Sequence, residues 1–151
     1  MQISESIDIK SPKMRVWSVI TDIENAATWL SNIKSIEIID SPESGINGLK
    51  WKEVRNFCGK EASEIMWITN SIENDHYCVR AESHGAVYLS QLSINESDEV
   101  TTLTMSFKAE PQTFLAKLLS KIMNRFVLNS LIKEIQRDLK DIKDYVERAS
   151  N

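Results

Sequence analysis

The segment 111–148, PQTFLAKLLSKIMNRFVLNSLIKEIQRDLKDIKDYVER, carries proline only at its first position and no glycine, so a helix is predicted from just after Pro111 to about Arg148. On a wheel of about 100° per residue, Leu115, Leu118, Leu119, Ile122, Met123 and Phe126 share one stripe opposite Lys117, Ser120, Lys121 and Asn124. Farther along, Leu131, Ile135, Leu139, Ile142 and Val146 fall roughly on the side that had been polar. One straight helix with one buried face cannot satisfy both stripes. A break, kink or bulge is therefore predicted near Phe126 to Ser130, or else a middle section buried on both sides. The later half is expected to pack as core. The earlier half is freer to act as a lid, a dimer contact or a membrane-facing patch.

Everything upstream reads as one sheet interrupted early by two short helices. Ile3, Ile7 and Ile9 alternate with polar residues, the period-two signature of a strand with one wet face. Ser11-Pro12 then offers a helix start with Ser11 as cap, and Asp22 offers a second, for Ile23 to Leu30. Further strands are predicted around Ile36 to Ile39, Leu49 to Phe57, Ile65 to Ile68, Tyr77 to Ala81, Val87 to Ile94 and Leu103 to Phe107. A polar loop, Asn95 to Glu99, is expected to join the last two. Short connections make an antiparallel meander the economical topology, and residues 1–151 are expected to form a single domain.

Composition narrows the function. The chain has 151 residues, 42% hydrophobic and 26% charged, as globular proteins do. Its formal net charge of -4, with scattered basic residues, offers no general attraction to phosphate backbones, so nucleic-acid binding is disfavoured. Cys58 and Cys78 lie far apart, without metal-ligand spacing, and read as reduced thiols; no metal or other cofactor is expected. Residues 1–10 do not resemble a signal peptide and no stretch approaches a membrane span, which makes a cytoplasmic location the default expectation. His76 and His84 are expected to face solvent.

Several local strings resemble the START-related polyketide cyclase/lipid-transport superfamily, also described as Bet v 1-like. These are Ile7 to Ile9 with Ser11-Pro12, Val16-Trp17, Ile20, Asp22 and Trp29, then Gly48-Leu49-Lys50-Trp51 to Phe57, Gly59, and the terminal helix ending at Glu147. The resemblance implies an α+β helix-grip fold: a curved seven-stranded antiparallel sheet, two short helices, and a long C-terminal helix gripped by the sheet. It also implies an internal cavity for a lipid, polyketide or similar hydrophobic molecule. Periodicity alone predicts only a core.

Within that frame Glu53 and Arg55, beside Trp51 and Phe57, point the same way along one strand. Either they are paired charges inside an apolar pocket, placed to orient a polar head group, or the strand bends there and both reach solvent at the rim. Tyr88, Met105 and Phe107 read as pocket wall or ordinary core, and Leu119, Ile122 and Phe126 as the helix side of the pocket or as interface. No nucleophile with an evident base emerges, so no catalytic residue is assigned. The leading reading is a non-catalytic binder or carrier of a hydrophobic small molecule. Two alternatives stay open: a cyclase- or aromatase-like enzyme in which Glu53 or Tyr88 moves a proton, and an interaction module, a homodimer among them, using the apolar Leu115 to Phe126 face. Lys117, Lys121 and Arg125 form a small basic stripe, read as solvated or as touching a membrane surface transiently.

Overall fold

The computed structural model describes residues 2–122 and 125–149, with the side chains at 119–122 and 149 outside the described set. Strand β1 (Gln2–Ile9) opens the chain, followed by helix α1 (Lys13–Ile20), a single 3-10 turn (Ile23–Asn25) and helix α2 (Ala26–Trp29). Strands β2 (Ile33–Asp40), β3 (Lys50–Phe57), β4 (Lys60–Ile72), β5 (His76–Ser83), β6 (Ala86–Ser97) and β7 (Val100–Pro111) then run as a meander, before helices α3 (Phe114–Ile122) and α4 (Arg125–Ala149). All pairings are antiparallel, in the order β1-β7-β6-β5-β4-β3-β2. This is the α+β helix-grip architecture.

Two features let the sheet bend. Register shifts interrupt the β2–β3 pairing between Ile33 and Ser35 and between Ile38 and Asp40, and the β4–β5 pairing between Ile68 and Asn70; an extra residue on one strand increases local twist. Two-residue hairpin turns then reverse the chain where both central residues take left-handed φ angles, as at Cys58-Gly59 and His84-Gly85. Gly85 has a second constraint, because a Cβ there would lie 2.7 Å from Thr113 Oγ1. That approach lets its carbonyl accept from the backbone N–H of Gln112 (2.8 Å), tying the hairpin to the segment leading into α3.

Against the inner sheet face lies α4, seated by Ile135, Leu139, Ile142 and Val146, all buried. Their core partners include Ile3, Ile9, Leu103 and Tyr77. The Tyr77 hydroxyl donates to the Ile20 carbonyl at 2.7 Å, fastening β5 to the end of α1, and its ring meets Trp17 edge to face at 6.0 Å. By contrast, Phe114, Leu115, Leu118, Phe126 and Val127 are exposed.

Three expectations change. Pro12, not Ser11, occupies the cap position of α1, and neither Ser11 nor Asp22 makes a capping side-chain bond. Tertiary contact overrides the local signal here: Ser11 is buried, and its carbonyl accepts from Thr101 Oγ1 at 2.7 Å. The supposed Asn95 to Glu99 loop is mostly strand, since Asn95, Glu96 and Ser97 pair with Thr102, Thr101 and Val100, leaving Asp98-Glu99 as the turn. Finally, α4 is continuous through Phe126–Ser130 and residues 125–130 are exposed or half-buried, so that stretch is neither interrupted nor buried on both sides. The described helices end at Ile122 and resume at Arg125.

If α4 is the element that completes the core, Leu139→Ala, at a site only 2% exposed, should lower the unfolding free energy by about 2–5 kcal/mol. Leu115→Ala, on the exposed face of α3, should stay within about 0.5 kcal/mol. Urea unfolding of both variants checks this; similar losses would mean the helix roles are misassigned.

Candidate functional site

Between the bent sheet and α4 lies a cavity of about 350 Å³. Its walls are mostly apolar: Ile23, Ala26, Trp29 and Leu30 at the short-helix end, Met66, Val79 and Leu92 from the sheet, and Leu131, Ile135 and Ile142 from α4. Tyr88 and Phe107 stack across β6 and β7 with ring centroids 5.9 Å apart. Of the nine residues singled out from sequence, Trp51, Glu53, Arg55, Tyr88, Met105 and Phe107 line this space. Phe126 does not: it is 70% exposed. The side chains of Leu119 and Ile122 lie outside the described residues.

One part of the wall is charged. Strand alternation puts Trp51, Glu53, Arg55 and Phe57 on the inner face of β3, so the pair sits inside and not at a solvated rim. Arg55 Nε donates to Glu53 Oε2 at 2.8 Å, and Arg55 Nη1 to Asp138 Oδ2 at 3.1 Å. Glu134 Oε2 stands 4.0 Å from the same Nη1. That carboxylate also accepts from Asn32 Nδ2 (2.8 and 3.1 Å to its two oxygens), while Ser31 donates to Asp141 through its backbone N–H and hydroxyl. The turn after α2 is thereby tied to α4 at the cluster.

Asp138 is the residue that sequence reading passed over. It lies three residues after Ile135 and four before Ile142, on the stripe that faces inward, and is 5% exposed. A carboxylate in the middle of an apolar stripe was the available signal. Its counter-ion, 83 positions away in the chain, was not.

The electrostatics follow from burial. Burial pushes the Asp138 carboxyl up to about 6, with Glu53 and Glu134 adding to the rise and Arg55 opposing it. For Arg55, burial works against the charge, but Asp138 and Glu53 outweigh it and hold the guanidinium above its ordinary value. Burial raises the Tyr77 phenol, with Glu53 adding, and raises the half-buried Tyr88 phenol, with Glu64 adding. Glu64, also on the cavity wall, faces Glu53 across β3–β4. Burial and that like charge raise its carboxyl against the pull of Ser83 and His84.

Elsewhere, of the two histidines expected to face solvent, His84 is exposed, whereas His76 is half-buried and bonded to Asp75 at 2.6 Å. Cys58 and Cys78 are free thiols. No described helix is long and apolar enough to cross a membrane. Among the described residues no cluster of three or more His, Cys, Asp or Glu is arranged to hold a metal ion.

A folded pKa above the ordinary carboxylate value means that the native state keeps its proton longer than the unfolded chain. The stability contributed by Asp138 is thus fully present below about pH 4 and is lost as pH rises through about 6. Carboxyl-carbon NMR should find this group titrating near 6. A midpoint in the ordinary aspartate range would show that the site is wetter than its geometry implies.

Comparison with known proteins closes the case for the architecture. No curated protein sequence is detectably similar. Among solved structures, the chain resembles TTHA0849 from Thermus thermophilus (TM-score 0.78, 18% identity, 100% of each chain) and a START superfamily protein from Mycobacterium smegmatis (0.80, 14%, 98% of each). It also resembles the di-domain ARO/CYC BexL from the BE-7585A biosynthetic pathway (0.77, 13%), covering 97% of this chain and 50% of that one. At such identities the likeness is one of fold. The sequence itself matches the family described as polyketide cyclase / dehydrase and lipid transport over residues 1–147, and the chain belongs to that family.

Proposed function

We propose that this protein binds a hydrophobic small molecule in the space between its sheet and α4, as carrier or receptor rather than as catalyst. The observation that carries this reading is the cavity of about 350 Å³, apolar over most of its wall and polar at the Glu53–Arg55–Asp138 cluster. Ligand pockets commonly have this composition, a greasy body with a few polar groups that fix orientation. The volume is supported from both sides: α4 is seated by its buried aliphatic residues, and its Asp141 holds the turn after α2. Such a scaffold resists collapse, and an apolar guest gains what its own surface loses in water.

A cyclase-like reading is favoured by one specific observation. Burial pushes the carboxyl of Asp138, a cavity-wall residue, up to about 6, a range in which a carboxyl can both accept and return a proton near neutral pH. In that reading the pocket folds a reactive chain against Asp138 while Tyr88, its phenol held protonated, supplies a hydrogen bond. The family description and the ARO/CYC likeness lend it support.

Native mass spectrometry of the purified protein, with and without an added apolar fluorophore, tests the leading proposal. Uptake at one equivalent is expected, together with thermal stabilisation that grows with ligand concentration; about 2.7 kcal/mol is expected at a hundredfold excess over Kd. Replacing Ala81, small and on the cavity wall, by Phe should reduce that uptake at least severalfold. Equal uptake by both proteins would place the bound molecule elsewhere and remove the proposal.

A further inference from the structure

Two buried polar atoms of cavity-lining residues have no hydrogen-bond partner among the described residues: Trp51 Nε1, a donor, and Asp138 Oδ1, an acceptor when ionised. Both residues are nine-tenths or more buried, at 3% and 5% exposed, and both line the cavity. Trp51 shares the inner face of β3 with Arg55, two inward positions along the strand, and Arg55 Nη1 grips the other oxygen of Asp138. Leaving one buried polar group unpaired costs enough that such groups are rare, and two among the residues of one cavity call for an explanation.

We propose that Trp51 and Asp138 form a two-point socket for a head group that donates one hydrogen bond and accepts another, a hydroxyl or a hydroxyl beside a carbonyl, on an otherwise apolar ligand. The inference rests on the cavity-binding reading and names the chemical class of its ligand. Competing head groups fail on specific contacts. An ammonium satisfies Asp138 but offers no lone pair to Trp51 Nε1. A carboxylate accepts from Trp51 but meets Glu53, Glu134 and Asp138, three acidic groups against the single guanidinium of Arg55. That guanidinium is already engaged through Nε and Nη1. A hydroxyl adds no charge and carries both the donor that Asp138 lacks and the acceptor that Trp51 lacks.

The same geometry makes selection depend on pH. Glu53 and Arg55 face Asp138 from β3, and Glu134 lies one turn before it on α4. A hydroxyl donates more strongly to the ionised carboxyl than to the neutral one, so preference for it should grow as pH rises through about 6. By linkage, a bound hydroxyl lowers the titration midpoint of Asp138.

Isothermal titration calorimetry with naphthalene, 1-naphthol and 1-naphthoate tests the socket, because the three share one apolar frame. The expected result is that naphthol binds about tenfold tighter than naphthalene at neutral pH, with naphthoate weaker than naphthol. The naphthol-to-naphthalene ratio should fall towards one in Trp51→Phe, which keeps a ring but loses the donor, and in Asp138→Ala. Should the loss of an Arg55 partner unfold the second variant, the first still decides. A ratio near one in the unaltered protein, an unchanged ratio in the variants, or tightest binding of naphthoate would overturn the socket and leave cavity binding standing. Failure of all three probes to bind would remove the cavity-binding reading and the socket together.

Discussion

A guanidinium placed in an apolar cavity imposes the main constraint on this molecule. Arg55 reaches inward because strand alternation leaves it no other direction, and a buried cation is tolerable only with charged partners at hydrogen-bonding distance. Glu53 comes from its own strand; Asp138 must come from α4. The helix is therefore set in rotation as well as position. It has to bring Asp138 to the guanidinium while Leu139 and Val146 enter the core, and the polar contacts of Ser31 and Asn32 hold that setting from the short-helix end.

From this setting the rest of the cavity follows. Leu139 and Val146 anchor α4 in the core, while Leu131, Ile135, Asp138 and Ile142 border the open space between helix and sheet. Burial raises the Asp138 and Glu64 carboxyls, and the surplus of negative charge left by three acidic groups around one basic group adds to the rise at Asp138. The fold thus creates an interior that is greasy in shape yet sensitive to proton concentration at one spot.

How far this was legible in the sequence depended on the range of the interactions involved. Alternation located all seven strands, and the 135–146 stripe located the buried half of the terminal helix, because both patterns reflect a single face meeting a single core. Ser11 as a helix cap was misread because its surroundings are set by Thr101, 90 positions away. Polar residues on both sides hid the β6–β7 hairpin end, which is held by backbone pairing and not by side-chain pattern. Trp51, Glu53 and Arg55 were found through their spacing. Asp138 was missed because a helical wheel counts a carboxylate as outward-facing, and only a counter-ion from another element reverses that. Phe126 was placed in the pocket because the first stripe was extended to the end of its run; in the structure Phe126 meets solvent.

The pairing of β1 with β7 carries a consequence for how the chain matures. Gln2 lies beside Lys108 and Ile9 beside Thr101, and α4 packs over β1. Of the seven strands, the first to be made on the ribosome therefore waits for the last before it has neighbours. Such long-range closure makes folding slow and defers it until the strands and α4 have all been translated. The cavity, walled by β3, β6, β7 and α4 among others, is thus complete only once α4 has docked.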